Sequence, residues 1–396
     1  MAKPVYAFEE ADSKKRMLLG GKGAGLSEMT RLKLPVPPGF IITTEVCNKY
    51  YDNNKKLPKD LMSAVMKNIT KMEKKTGKKW NSTKNPLLVS VRSGAAISMP
   101  GMMDTILNLG LNEKTVEGFA EQTKNPRFSW DSYRRFIQLF GKVVFGVNDE
   151  KFDHVLDSAK TKQGVSDDSK LNVESLKTIV SEYKKICEAH TKRKFPDSPK
   201  EQLELSIEAV FRSWMGERAI VYREKNNITK DIANGTAVNV VTMVFGNMGD
   251  DSATGVVFTR NGHNGKKEIE GEYLINAQGE DVVAGVRTGK NIELLKKDMP
   301  KSHKELSNAC TKLEKHFREP QDIEFTIEQG KFYLLQTRTA KMSAAALVKT
   351  SVDMVKEKLI DKNRALTRIP AQQLEALLHR TMDESKIKDH KQVAKG

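Results

Sequence analysis

The run QDIEFTIEQGKFYLLQTR, residues 321–338, narrows the possible folds more than any other stretch of this chain. Two strand-like runs flank Glu-Gln-Gly, so the segment reads as a β-hairpin, and a hairpin needs further strands or helices to cover its apolar face. Asp322 and Glu324 are two residues apart and share one face of their strand. Phe325, Ile327, Tyr333 and Leu335 supply the other, apolar face. If Glu328-Gln329-Gly330 is a three-residue loop with Gly330 left-handed, Glu324 falls opposite Leu334 and Asp322 opposite Gln336. Two carboxylates and one amide carbonyl then converge, an all-oxygen donor set suited to Mg²⁺ carrying a polyphosphate. A merely solvated acidic face is the alternative, and the apolar neighbours Phe332 and Leu334 count against it.

The rest of the sequence supplies such a hairpin with partners. Residues 1–111 hold a Gly-rich turn running into a helical pattern, LLGGKGAGLSEMTRL. A helix follows with Met62, Val65, Met66, Ile69 and Met72 on one face, ended near Gly77. The apolar run PLLVSVRSG then reads as a buried strand that delivers Arg92 to its end. Residues 112–197 form a helical insertion, with Tyr133, Phe136, Ile137, Phe140 and Val144 at helical spacing and a further helix at 174–190. Ser198-Pro199-Lys200-Glu201 is a capping-box pattern that opens a helix through Trp214. From about residue 218 the pattern is strand-like: RAIVYR, TAVNVVTMVF, TGVVFTR, EYLINA, then the hairpin. Residues 341–396 return to helices and finish in a polar, disorder-prone tail. Helices and strands are segregated along the chain, which defines an α+β protein.

Composition removes several function classes. No apolar run reaches the length of a membrane span, and the first residues lack a signal peptide's apolar segment. Cys47, Cys187 and Cys310 form no CxxC pair, which points to an intracellular, reducing compartment. The net charge of +16 invites a nucleic-acid partner. Only 17 of the 67 basic residues are Arg, however, and the Lys are spread rather than clustered with aromatics, so a general affinity for anions is the better reading.

Particular residues fit a phosphate ligand. LGGKGAGL leads into a helix whose amides could cradle an anion with Lys22 as a point charge, although it matches neither the P-loop nor a dinucleotide fingerprint. Arg92 is followed by the small residues of SVRSGAAISMPGMMDTILNLG, which suits a guanidinium beside a closely approaching backbone; a local carboxylate partner is the plainer alternative. Thr254 and Gly255 precede a strand, free to offer a hydroxyl and an amide. LINAQGEDVVAG brings Gln278, Glu280 and Asp281 to the end of another. Together these are the parts of a metal–nucleotide phosphotransfer site.

Several blocks resemble the nucleotide-binding portion of the pyruvate phosphate dikinase family: GGKGAGLSEM, LLVSVRSGAAISMPGMMDTILNLGLN, AVFRSW, AVNVVTMVFGN, TGVVFTRN, GEYLINAQGEDVVAG and DIEFTIEQGKFYLLQTR. The resemblance implies an ATP-grasp fold with a helical insertion and a C-terminal helical linker. Residues 1–111 and 198–243 would form its N-terminal subdomain, 112–197 the insertion, 244–340 the C-terminal subdomain and 341–396 the linker. It implies Lys22 and Arg92 as catalytic phosphate ligands. Gly101, Met103, Thr254 and Gly255 would be loops closing over the terminal phosphates. Asp322, Glu324 and Gln336 would be metal and nucleotide anchors, with Arg338 and Glu280 assisting. Val241 stands where Gln is expected. The implied cofactor is Mg²⁺ with ATP, and the implied partners are ATP or AMP, phosphate, and separate phosphohistidine and pyruvate-binding domains through which a homodimer forms. None of the seven His occupies the family's Gly-Gly-x-Thr-x-His type of motif, so the chain reads as a truncated part of such an enzyme. The competing readings are another dikinase, such as phosphoenolpyruvate synthase, and a basic binding module without catalysis.

Overall fold

A computed structural model describes residues 3–99, 101–283 and 288–378. The strands are β1 (Val5–Ala7), β2 (Gly39–Ile42), β3 (Val89–Ala95), β4 (Thr105–Leu109), β5 (Thr236–Thr242), β6 (Ala253–Phe258), β7 (Glu270–Ile275), β8 (Lys290–Asn291), β9 (Gln321–Glu328) and β10 (Lys331–Thr339). They form two five-stranded sheets, ordered β1-β2-β5-β3-β4 and β10-β9-β6-β7-β8. With the helices between them this is the expected α+β class. The chain divides into two compact units. The first comprises residues 1–255, 273–289 and 324–338; the second comprises 256–272, 290–323 and 339–396.

In the first unit the paired strands of the first sheet are antiparallel, and β5 lies at its centre. All seven residues of β5 are buried, as a strand covered on both faces requires. One apolar core runs from Phe40, Ile42 and Val46 through Val65, Val89 and Val91 to Phe136, Phe140 and Tyr183. The insertion contributes helices Glu113–Thr123, Pro126–Phe145, Asp149–Gln163 and Val173–Thr191, each opened by an Asn whose side chain accepts from backbone N–H groups of the first turn. The helix Leu61–Thr76 ends on Gly77 at φ 70°, the left-handed stop its sequence announced.

Two expectations are corrected here. RAIVYR lies in the helix Glu217–Lys225, not in a strand. The run is too short for its period to decide, and Gly216 before it, with Glu at its start and Arg and Lys in its last turn, favours a helix. The helix Pro199–Trp214 is present, but Ser198 makes no side-chain capping bond, so Pro at the first helical position is what remains of that start signal.

The second unit contains the helix Pro300–Phe317 and the helices Ala344–Lys356, Lys362–Thr367 and Ala371–Leu378. Arg260, with no exposed side-chain surface, is held by Glu314 and Glu357, each contact at 2.8 Å from Nη2. The polar tail from residue 379 lies outside the described residues. Among the described residues no helix is long and apolar enough to cross a membrane.

Candidate functional site: a cationic cluster around Glu324

Arg92 is the central residue of β3, not its last as expected: the buried run Leu87–Val91 leads into it and the strand pairs on through Ser93-Gly94-Ala95. Its register partner on the central strand β5 is Asn239. Lys22 follows a break at Gly20, whose φ of 69° and ψ of 161° interrupt the helix Arg16–Arg31. That backbone is open only to glycine, and a Cβ on Gly20 would lie 1.7 Å from the carbonyl oxygen of Gly94. The glycine turn and the end of β3 are therefore in backbone contact, and this juxtaposition places Lys22 beside Arg92. Arg16 Nε donates to the carbonyl of Ala96 at 2.8 Å and closes the same contact from the turn's other side.

Glu324 completes the group. Its Oε2 lies 3.5 Å from Arg92 Nη2, with about a fifth of the Arg92 side chain and a quarter of the Glu324 side chain exposed. Arg92 Nε is buried and makes no hydrogen bond among the described residues. Burial, then the Arg92 charge, pushes the Lys22 ammonium down to about 7; Glu324 opposes that shift and Arg338 adds to it. The charges of Arg92, Glu324 and Arg338 thus all act on Lys22. Positive charge at Lys22 is disfavoured by both arginines and favoured by the one acid, an electrostatic setting in which a further anion would be favourable.

The hairpin reaches this arrangement by a route different from the expected one. Gln329 and Gly330 alone form the turn, with φ of 48° and 71°, a two-residue type I′ connection in place of the three-residue loop. Such a turn pairs Glu328 with Lys331, yet Ala340 N donates to Pro320 O at 2.9 Å. Those two pairings differ by one residue, so β10 carries one extra residue, a β-bulge. Burial locates it: Phe332 and Leu334 are buried, Leu335 and Gln336 are both half-buried, and burial resumes at Thr337. Gln336 and Arg338 are both half-buried. The apolar face is accordingly Phe325, Ile327, Phe332 and Leu334 rather than one including Tyr333 and Leu335, with the Phe325 and Phe332 rings 5.7 Å apart. Asp322 is buried on β9 and belongs to the second unit.

Other expected residues have different surroundings. Thr254 and Gly255 lie within β6, not in a loop, and the Thr254 hydroxyl donates to Phe325 O at 3.2 Å. Gly101 sits exposed between β3 and β4 at φ 71°, its carbonyl 3.4 Å from Arg218 Nη1, while Met103 packs half-buried on the core. The Glu280 side chain lies outside the described residues. Glu328, read as a turn residue, instead accepts from Phe245 N at 2.7 Å, and burial raises its carboxyl above the ordinary range.

A second charged network was not anticipated from the sequence. Burial alone would raise Asp131, but Arg134 and Arg135 bring it down to about 2. Arg135 also reaches Asp281 at 3.0 Å and so joins the helix Pro126–Phe145 to the segment after β7. Its only sequence signal is the Asp-x-x-Arg-Arg spacing on one helix.

The fold is α+β, and its first unit sets Lys22, Arg92 and Glu324 close together. The profile of the pyruvate phosphate dikinase AMP/ATP-binding domain matches residues 16–57, 53–304 and 299–359. The chain belongs to that family. It is 54% identical over 380 residues to a pyruvate, phosphate dikinase of Entamoeba histolytica, covering 96% of this chain and 43% of that protein. It is 52% identical over 389 residues to the Clostridium symbiosum protein of that name, covering 98% and 44%. To pyruvate, phosphate dikinase 1, chloroplastic, of Arabidopsis thaliana it is 46% identical over 398 residues, covering 100% and 41%. The chain thus spans less than half the length of these relatives.

Proposed function

We propose that this chain is the nucleotide-binding portion of a pyruvate phosphate dikinase, with an ATP-grasp fold. It binds MgATP and orthophosphate and presents the β-phosphoryl group to a histidine carried on another domain of the full-length enzyme. The complete reaction interconverts ATP, phosphate and pyruvate with AMP, diphosphate and phosphoenolpyruvate. The observation that carries this reading is the Arg92–Glu324 pair at 3.5 Å with Lys22 within reach of both charges.

Arg92 offers a planar fork for two phosphate oxygens, and Lys22 a compact charge on the same side of β3. A bound polyphosphate would compete with Glu324 for Arg92, releasing the carboxylate toward a cation. Glu324 and the Gln336 amide oxygen are hard donors of the kind Mg²⁺ takes when most of its shell is water and phosphate. Among the described residues no three His, Cys, Asp or Glu side chains are grouped to hold a metal. Mg²⁺ bound there would neutralise charge on the phosphate oxygens. The protein's own contribution is positioning and electrostatic stabilisation rather than a covalent intermediate.

Calorimetric titration with ATP, with Mg²⁺ and with a chelator, tests the proposal. Saturable, metal-dependent binding supports it, and absence of binding under both conditions overturns it.

A further inference from the structure

The glycines of GGKGAGL and of RSGAA surround one side chain. Asn239, on the central strand β5, has no exposed surface. A Cβ on Gly23 would lie 2.9 Å from its Oδ1, and one on Gly94 would lie 2.6 Å from its Nδ2. The same point at Gly94 is 3.4 Å from Lys22 Cβ. Asn239 is also the register partner of Arg92, and its Nδ2 approaches the Arg92 carbonyl at 3.4 Å. The amide therefore lies between the segment bearing Lys22 and the strand bearing Arg92, and both segments use glycine where they meet it.

Asn is a costly choice here. Its Oδ1 is buried and has no hydrogen-bond partner among the described residues. An unpaired buried acceptor is destabilising, and an apolar residue between the flanking Val238 and Val240 would avoid that cost. Local rules are broken in this way mostly where function requires it.

We infer that Asn239 is a positioning residue, the spacer that sets the separation and orientation of Lys22 and Arg92 for an incoming polyphosphate. This rests on the nucleotide-binding reading above. The amide touches no reacting atom; it acts through the turn on one side and the strand on the other. Gly94 leaves room for the amide, so a methyl group at 94 can occupy part of the space that opens when the amide is removed.

The experiment compares Asn239→Ala, Gly94→Ala and the double variant by thermal unfolding, by MgATP titration, and by amide hydrogen exchange of residues 20–25 and 92–96 without nucleotide. Asn239→Ala should weaken MgATP binding at least tenfold and speed exchange in both segments. The double variant should regain thermal stability relative to Gly94→Ala, while its MgATP affinity stays at least tenfold below the parent. Affinity that recovers with stability, or is unchanged in Asn239→Ala, overturns the inference and leaves Asn239 as packing. If Asn239→Ala does not fold, Asn239→Asp keeps the shape and removes the Nδ2 donor that approaches the Arg92 carbonyl. Its MgATP affinity should fall at least tenfold, and an unchanged affinity overturns the inference. If the parent binds no MgATP, the functional reading fails, and the exchange data alone decide the spacer: unchanged exchange in Asn239→Ala sinks it.

Discussion

Arg92 and Glu324 lie 3.5 Å apart, on strands β3 and β9 that are more than two hundred residues apart in the chain. Glu324 favours the charged form of Lys22 while Arg92 and Arg338 disfavour it, so an anion placed beside Arg92 would be attracted. Arg92→Ala should therefore lower MgATP affinity by roughly 1.5–3 kcal/mol, the range for a charge-assisted contact. Circular dichroism should be unchanged; an unaltered affinity would make Arg92 a structural partner of Glu324.

Lys22 links binding to pH. Its native pKa of about 7 lies below the 10.5 of an unperturbed lysine, so between those values the unfolded chain binds more protons than the native one. Stability from this group accordingly rises with pH across that window, and below about 7 the penalty of a buried charge is fully present. Lys22→Met should raise the melting temperature at neutral pH and remove most of the MgATP affinity. In the parent protein, nucleotide binding above pH 7 should take up protons, measurable as a buffer-dependent binding enthalpy.

Glu324 and Glu328, four residues apart on one strand, should respond differently. Glu324→Ala should abolish the Mg²⁺ dependence of ATP binding with little loss of stability. Glu328→Ala removes the acceptor for Phe245 N and should cost about 1–3 kcal/mol of folding stability while leaving metal dependence intact. Equal loss of metal dependence in the two variants would contradict the site.

The hairpin turn gives a test of register. Gln329 occupies a left-handed position that Asn adopts more readily, so Gln329→Asn should stabilise by a few tenths of a kcal/mol, on the order of known turn preferences. Gly330→Val should destabilise by roughly 1 kcal/mol or more, since φ is also positive there.

What could be read from the sequence followed from what each signal encodes. Arg92 was legible because an apolar run ended on it beside small residues, and Lys22 because glycines bracketed it. The acids of β9 were visible through their period of two. Loop length was not, because Glu328 was counted into the turn although its carboxylate bonds Phe245, 83 residues away. The bulge at Leu335–Gln336 has no local signature and shows only as a change in burial parity. Asn239 was hidden for a related reason: one polar residue between Val238 and Val240 reads as a solvent-facing position, and only the glycines packed around it reveal otherwise.

The most direct measurement of the central claim is calorimetric titration of ATP into the parent chain and Arg92→Ala, each with and without Mg²⁺. The account predicts saturable binding of one ATP by the parent with Mg²⁺, strongly reduced by chelation, and at least tenfold weaker binding by the variant. Binding that is indifferent to both Mg²⁺ and Arg92 would contradict it.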